Sequence, residues 1–156
     1  MNTLVEIKDL SIGFQSQGRF NNVVHSISFN IPRGKTMAIV GESGSGKTVT
    51  ALSILKLLPY PSAFHESGKI IFDKKNLLSL NENEMQHVRG KNITAIFQEP
   101  MTSLNPLHTV EKQINEIIML HSSTTYNQAT KKTISLLKQV GLMDIAQRIK
   151  AYPHEL

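Results

Sequence analysis

Thr36-Met37-Ala38-Ile39-Val40-Gly41-Glu42-Ser43-Gly44-Ser45-Gly46-Lys47-Thr48 is the stretch that decides how this chain folds. Its first five residues are apolar on both faces and run straight into a glycine, the pattern of a short buried strand. From Thr48 to Leu58, the residues Val49, Leu52, Leu55 and Leu58 are spaced for one face of a helix, which Pro59 and Pro61 stop. Between strand and helix lies Gly41-x-x-x-x-Gly46-Lys47-Thr48, the pattern of a loop that cradles phosphate. The glycines let consecutive backbone N–H groups face a phosphate without a side chain intruding, and the following helix points its positive dipole end at the same charge. Lys47 is expected to reach the β- and γ-phosphates of a nucleotide. Thr48 is expected to give its hydroxyl to a bridging Mg²⁺, a hard ion that takes oxygen ligands. The competing reading is a mere glycine-rich turn, and the strand-loop-helix frame argues against it.

Outward from this loop the pattern is mixed. Upstream, Leu4-Val5-Glu6-Ile7-Lys8 and Ile27-Ser28-Phe29-Asn30-Ile31 alternate as half-buried antiparallel strands do, the second ending in the turn Pro32-Arg33-Gly34. Downstream, Gly68-Lys69-Ile70-Ile71-Phe72 predicts a strand, Asn81 to Arg89 a short helix capped by Ser79 or Asn81, and Asn92-Ile93-Thr94-Ala95-Ile96-Phe97 a buried strand with Gln98 at its end. Val110, Ile114, Ile117 and Ile118 predict an amphipathic helix; Ile134, Leu137 and Val140 predict another, which Gly141 can end. The polar run Ser122-Ser123-Thr124-Thr125 separates the two.

Composition bounds the rest. With 156 residues, 40% of them hydrophobic and 19% charged, the chain has the make-up of one globular domain or part of one. No window approaches the roughly 18 apolar residues of a spanning helix, and Glu6, Lys8 and Asp9 stand where a secretory signal would be apolar. The absence of Cys excludes disulfides and thiolate chemistry and favours the cytoplasm. A net charge of +5 is spread along the chain, with only Lys74-Lys75 and Lys131-Lys132 adjacent, so no nucleic-acid surface is expected. The six His residues include no zinc-like spacing, so no metal beyond Mg²⁺ is assigned.

Three blocks then point to a family: Gly41 to Thr48, Ile96-Phe97-Gln98-Glu99-Pro100-Met101-Thr102-Ser103-Leu104-Asn105-Pro106, and Tyr152-Pro153-His154-Glu155-Leu156. In this order they resemble the ATP-binding subunits of ABC transporters over the whole length, and their wording is similar to the peptide and nickel uptake group (oligopeptide, dipeptide, microcin C). The resemblance implies an α/β P-loop NTPase of ABC type: an antiparallel β start over residues 1–35, an incomplete parallel core sheet over 36–98, and a helical subdomain over 99–156. It implies ATP as ligand of Gly41, Ser43, Gly44, Ser45, Gly46, Lys47 and Thr48. Gln98 matches the glutamine that approaches Mg²⁺ and the attacking water. Phe14 matches the aromatic that stacks on adenine; its bland alternative is a core residue. Glu99 to Pro106, with a turn at Asn105-Pro106, takes the place of a surface that docks the permease's cytoplasmic helix, or is simply a rigid loop. The implied partners are transmembrane permease subunits and a second ATP-binding domain in a head-to-tail dimer, at the cytoplasmic face of the inner (plasma) membrane.

By the same resemblance Leu156 is the first residue of the Leu-Ser-Gly-Gly-Gln signature. The signature, the acidic motif that supplies Asp for Mg²⁺ and Glu for water, and the switch histidine would all lie beyond it, and neither Glu42 nor Glu99 is assumed to replace them. The chain is therefore expected to expose sheet edges, to be aggregation-prone alone and to hydrolyse ATP poorly or not at all. A catalytically dead remnant that keeps nucleotide contacts is the alternative. A different P-loop kinase or GTPase is disfavoured, because no Asn-Lys-x-Asp motif is present.

Overall fold

The computed structural model describes residues 2–97 and 104–155, so Gln98 and the residues 99–103 of the second family block lie outside the described residues. The chain divides into two compact units, Met1–Arg89 and Gly90–Leu156.

The first unit is built on one antiparallel sheet. Strands β1 (Thr3–Ser16) and β2 (Arg19–Pro32) form a long hairpin, followed after a helix by β3 (Ala63–Phe72) and the short β4 (Lys75–Asn76), in the order β2-β1-β3-β4. Both hairpin turns use two residues with positive φ, Gln17-Gly18 and Asp73-Lys74, the geometry that matches the strands' right-handed twist. The strands run further than the alternation predicted, because irregularities at Asp9–Ser11 and between Ile12 and Gly13 break the period while the ladder continues. One face carries the core: Ile7, Leu10, Ile12 and Ile70 are sealed, with Val24, Leu55, Leu58, Leu77 and Met85 buried around them.

Helix α1 (Lys47–Ile54) is a turn shorter than its apolar spacing predicts. Lys56 adopts a left-handed conformation (φ 50°), Leu57 N–H bonds to Leu52 O at 3.0 Å and Lys56 N–H to Ser53 O at 3.1 Å, a Schellman ending with lysine where glycine is usual. Arg89 secures it by donating to Leu55 O at 2.7 Å and Lys56 O at 3.1 Å. Helix α2 (Glu82–Val88) opens on the expected Asn81, with a capping box in which Glu84 N–H bonds to Asn81 Oδ1 and Asn81 N–H to Glu84 Oε2.

The two strands expected to run in parallel are not formed among the described residues. Thr36–Val40 carries no ladder and is largely exposed, with Val40 at 88%; Thr94–Phe97 likewise carries none, with Ile96 at 97%. A parallel strand needs pairing partners and a cover on both faces, and the described residues supply neither to these segments.

The second unit is helical: α3 (Val110–His121), α4 (Tyr126–Gln139) and α5 (Met143–Gln147). Gly141 (φ 80°) ends α4 as expected, with Leu142 N–H bonded to Leu137 O. The α3–α4 seam is more polar than the isoleucine spacing suggests: Asn115, Thr133 and Ala129 are fully buried, whereas Ile117 and Val140 are exposed. Asn105 and Pro106 do form a turn, closed by His108 N–H to Asn105 O and clasped by the Gln113 side chain.

Candidate phosphate-binding site

The loop from Gly41 to Gly46 opens α1, and its geometry follows from its glycines. Gly44 (φ 82°) and Gly46 (φ 85°) occupy the left-handed region, and Gly46 is the residue capping the helix. Space constrains Gly46 as well: a Cβ there would lie 2.9 Å from Val24 Cγ2 and 3.1 Å from Val23 O. Strand β2 is thus the floor on which the loop sits. Thr50 N–H makes the first helical bond, to Gly46 O at 2.8 Å, which leaves the amides of Lys47, Thr48 and Val49 without intrahelical acceptors, the arrangement that suits an anion.

Lys47 folds back over this loop. Its Nζ donates to Gly41 O at 2.8 Å and Glu42 O at 2.6 Å and lies 3.4 Å from Ser45 Oγ, which sets a positive charge above the helix's amino end. Gly44 to Val49, together with Val23, surround a cavity of about 220 Å³. Thr48, at the start of the helix, is exposed and lines that cavity. Among the described residues no group of three His, Asp or Glu side chains could hold a metal ion. Of the two expected Mg²⁺ ligands, Thr48 lies within the described residues and Gln98 outside them.

Register places Phe14 on the loop's side of the sheet. Ile12 pairs with Val24, the residue under Gly46, and Phe14 lies two residues further along the same strand, so Phe14, Ile12 and Val24 share a face. Phe14 itself is half-buried, opposite Ala63 and Asn21. Phe20 and Phe64 meet edge to face on the opposite side, over Gly13. Val23 and Val24 escaped the sequence reading; the only signal was the need for a glycine at position 46, which implies that some backbone or side chain approaches it closely.

A glycine loop that opens a helix with its first amides unpaired has the local geometry of a phosphate-binding loop. The family profile described as ABC transporter matches residues 24–156, and the chain belongs to that family. It is 56% identical over 153 residues to the peptidoglycan transport ATP-binding protein YejF of Agrobacterium fabrum, covering 98% of this chain and 28% of that protein. It is 45% identical over 152 residues to the oligopeptide transport ATP-binding protein OppD of Bacillus subtilis, covering 97% of this chain and 42% of that protein. The chain therefore spans less than half the length of these relatives. Its fold matches the ATP-binding cassette MJ0796, solved as a post-hydrolysis dimer bound to ADP and Pi, with a TM-score of 0.82 at 21% identity, over 97% of this chain and 62% of that one. These likenesses confirm the ABC-type fold and the peptide-transport relationship that the three sequence blocks implied.

Proposed function

We propose that this chain is the phosphate-binding portion of an ATP-binding subunit that energises transport of a peptide-type substrate by an ABC transporter. The observation that carries the reading is the glycine loop seated on Val23 and Val24, with the Lys47 ammonium folded back onto the Gly41 and Glu42 carbonyls and the first amides of α1 unpaired within the helix. In this reading Gly41, Ser43, Gly44, Ser45, Gly46, Lys47 and Thr48 hold the triphosphate of ATP. Lys47 leaves its carbonyls for phosphate oxygens, which offer an ammonium stronger, charge-assisted bonds. Phe14 stacks on the adenine from the same side of the sheet. Thr48 and Gln98 ligate Mg²⁺, which when bound neutralises charge on the β- and γ-phosphates.

The 156 residues alone bind nucleotide and turn it over poorly. By family resemblance the groups that polarise water and complete the metal shell belong to the part of the cassette this chain does not match, and the chain covers 62% of the solved cassette. The proposed partners are permease subunits, contacted at Glu99 to Pro106, and a second ATP-binding domain in a head-to-tail dimer. No helix among the described residues is long and apolar enough to cross a membrane, which accords with a peripheral place at the cytoplasmic face. The partition into an antiparallel start (1–35), a core (36–98) and a helical subdomain (99–156) belongs to the same proposal.

A thermal or urea melt tests it. ATP with Mg²⁺ at a hundredfold excess over Kd stabilises a folded binder by about 2.7 kcal/mol. Lys47→Ala is expected to remove most of that shift, and equal melting of the unmutated chain with and without ATP would refute the site.

A further inference from the structure

Strand β3 is an edge over most of its length. In the order β2-β1-β3-β4, the short β4 pairs only with Ile71 and Phe72, and Ile70 N–H bonds to Asn76 Oδ1. From Phe64 to Lys69 the side of β3 turned away from β1 carries no ladder and no backbone–backbone hydrogen bond among the described residues. Alternate residues of a strand turn N–H and C=O to the same neighbour, so this edge presents unpaired donors and acceptors. The left-handed Gly68 (φ 94°) blunts it at one end and Pro61 at the other, which leaves Phe64–Ser67 free to pair. A cavity of about 680 Å³ runs along this stretch, lined by residues 63–68 together with Lys56, Tyr60, Pro61 and Leu78.

The cavity has a charge to match as well as a backbone. The Lys56 ammonium donates to Leu80 O at 2.7 Å and lies 3.4 Å from Leu78 O, and it has no carboxylate partner among the described residues. Two carbonyls leave one of its three protons for an incoming acceptor. Nearby Arg89, by contrast, is paired with Glu82. Glu66 is the lining carboxylate, but strand alternation sets it on the face opposite His65, where it accepts from Asn22 Nδ2. His65 adds a second unmet polar group, because its Nε2 is buried without a hydrogen-bond partner.

We propose that the groove along Phe64–Ser67 is a docking site for an extended segment of another polypeptide, which adds a strand to the β3 edge and sets an Asp or Glu side chain against Lys56. Backbone pairing supplies the row of donors and acceptors, and the carboxylate supplies the missing counter-charge. A small anion answers Lys56 but leaves the strand edge unpaired. A second copy of this chain is a poor occupant, since two β3 edges paired antiparallel about His65 or Glu66 set that residue against its own like. The proposal goes beyond the phosphate site and does not depend on it.

The test uses the 156-residue chain and a fluorescein-labelled, N-acetylated hexapeptide, Thr-Val-Asp-Val-Thr-Val, whose Thr and Asp side chains share one face and whose Val side chains share the other. Anisotropy is expected to report saturable one-to-one binding, with the amide resonances of Phe64 to Ser67 moving on addition of peptide. Replacing the peptide's Asp by Lys is expected to weaken binding roughly tenfold, the scale of one charge-assisted hydrogen bond. Methylating the alternate peptide amides that face β3 is expected to abolish binding, and methylating the other set to leave it. Lys56→Gln is expected to repeat the loss seen with the Lys peptide; the peptide variants test the same contact on the unmutated chain should Lys56→Gln unfold. Lys47→Ala is expected to bind the peptide normally. Absence of saturable binding, equal affinity for the Asp and Lys peptides, or indifference to which amides are methylated overturns the proposal. So does self-association that protects the amides of Phe64 to Ser67 from exchange, which would give the edge to a second copy.

Discussion

Gly46 sits at φ 85° with Val24 Cγ2 where a methyl group would go, so Gly46→Ala meets both left-handed strain of about 1–2 kcal/mol and a close contact. Gly44→Ala at φ 82° has open space around it and meets only the strain. Urea melts are therefore expected to rank Gly46→Ala as the more damaging, with ATP affinity lost in the same order. His65 makes a pH prediction. Its Nε2 is buried with no hydrogen-bond partner, its Nδ1 lies 3.5 Å from the Tyr60 hydroxyl, and burial, then the Lys56 ammonium, hold its pKa below the usual 6.5. As pH falls through 6.5 the unfolded chain takes up this proton before the folded one, so the stability present above 6.5 is lost on acidification. His65→Gln is expected to flatten that acid limb, and melts across the range read it directly. At this scale the sequence disclosed the glycines and Lys47, because their chemistry is written in residue type and spacing. Val23, Val24 and His65 were hidden, because what each does depends on which strand lies beside which.

Among the elements, α3 and α4 meet through hydrogen bonds. Thr133 Oγ1 donates to Asn115 Oδ1 at 2.6 Å, Asn115 Nδ2 to Thr130 Oγ1 at 2.8 Å, and Thr130 Oγ1 to Glu111 Oε1 at 2.8 Å. Thr133→Val keeps the shape and removes the donor to a fully buried carbonyl, so a loss of about 1–3 kcal/mol is expected by denaturant titration. Should that variant match the unmutated chain, the seam would owe its stability to Ala129 and Leu137 instead. Periodicity revealed both helices and most of their inward stripe: Val110, Ile118 and Leu137 are buried as expected, whereas Ile117 and Val140 are exposed, and the buried Asn115 and Thr133 gave no apolar signal. The end of α1 was misread because Lys56 turns left-handed before Pro59 and Pro61 are reached, and Arg89, distant in sequence, stabilises the carbonyls of that turn. Thr36–Val40 has the composition of a buried strand and lacks the ladder, because residue type sets the preference for a sheet but only neighbours form one.

Over the whole molecule the antiparallel half of the fold was legible and the parallel half was legible only as a need. Val40, Ile96 and Phe97 are apolar and exposed on segments without ladder partners, and the net charge of +5 gives only mild repulsion between copies. Light scattering of the isolated chain is expected to rise with concentration, and Val40→Asp to reduce it; a monodisperse monomer at high concentration would count against this exposure. The central claim concerns the loop at Gly41 to Thr48, and backbone amide NMR tests it most directly. On addition of ATP with Mg²⁺, or of pyrophosphate alone, the amide resonances of Gly44, Ser45, Gly46, Lys47 and Thr48 are predicted to move together and saturably, and to stay still in Lys47→Ala. Shifts centred elsewhere, or none in this segment while nucleotide binds, would contradict the account.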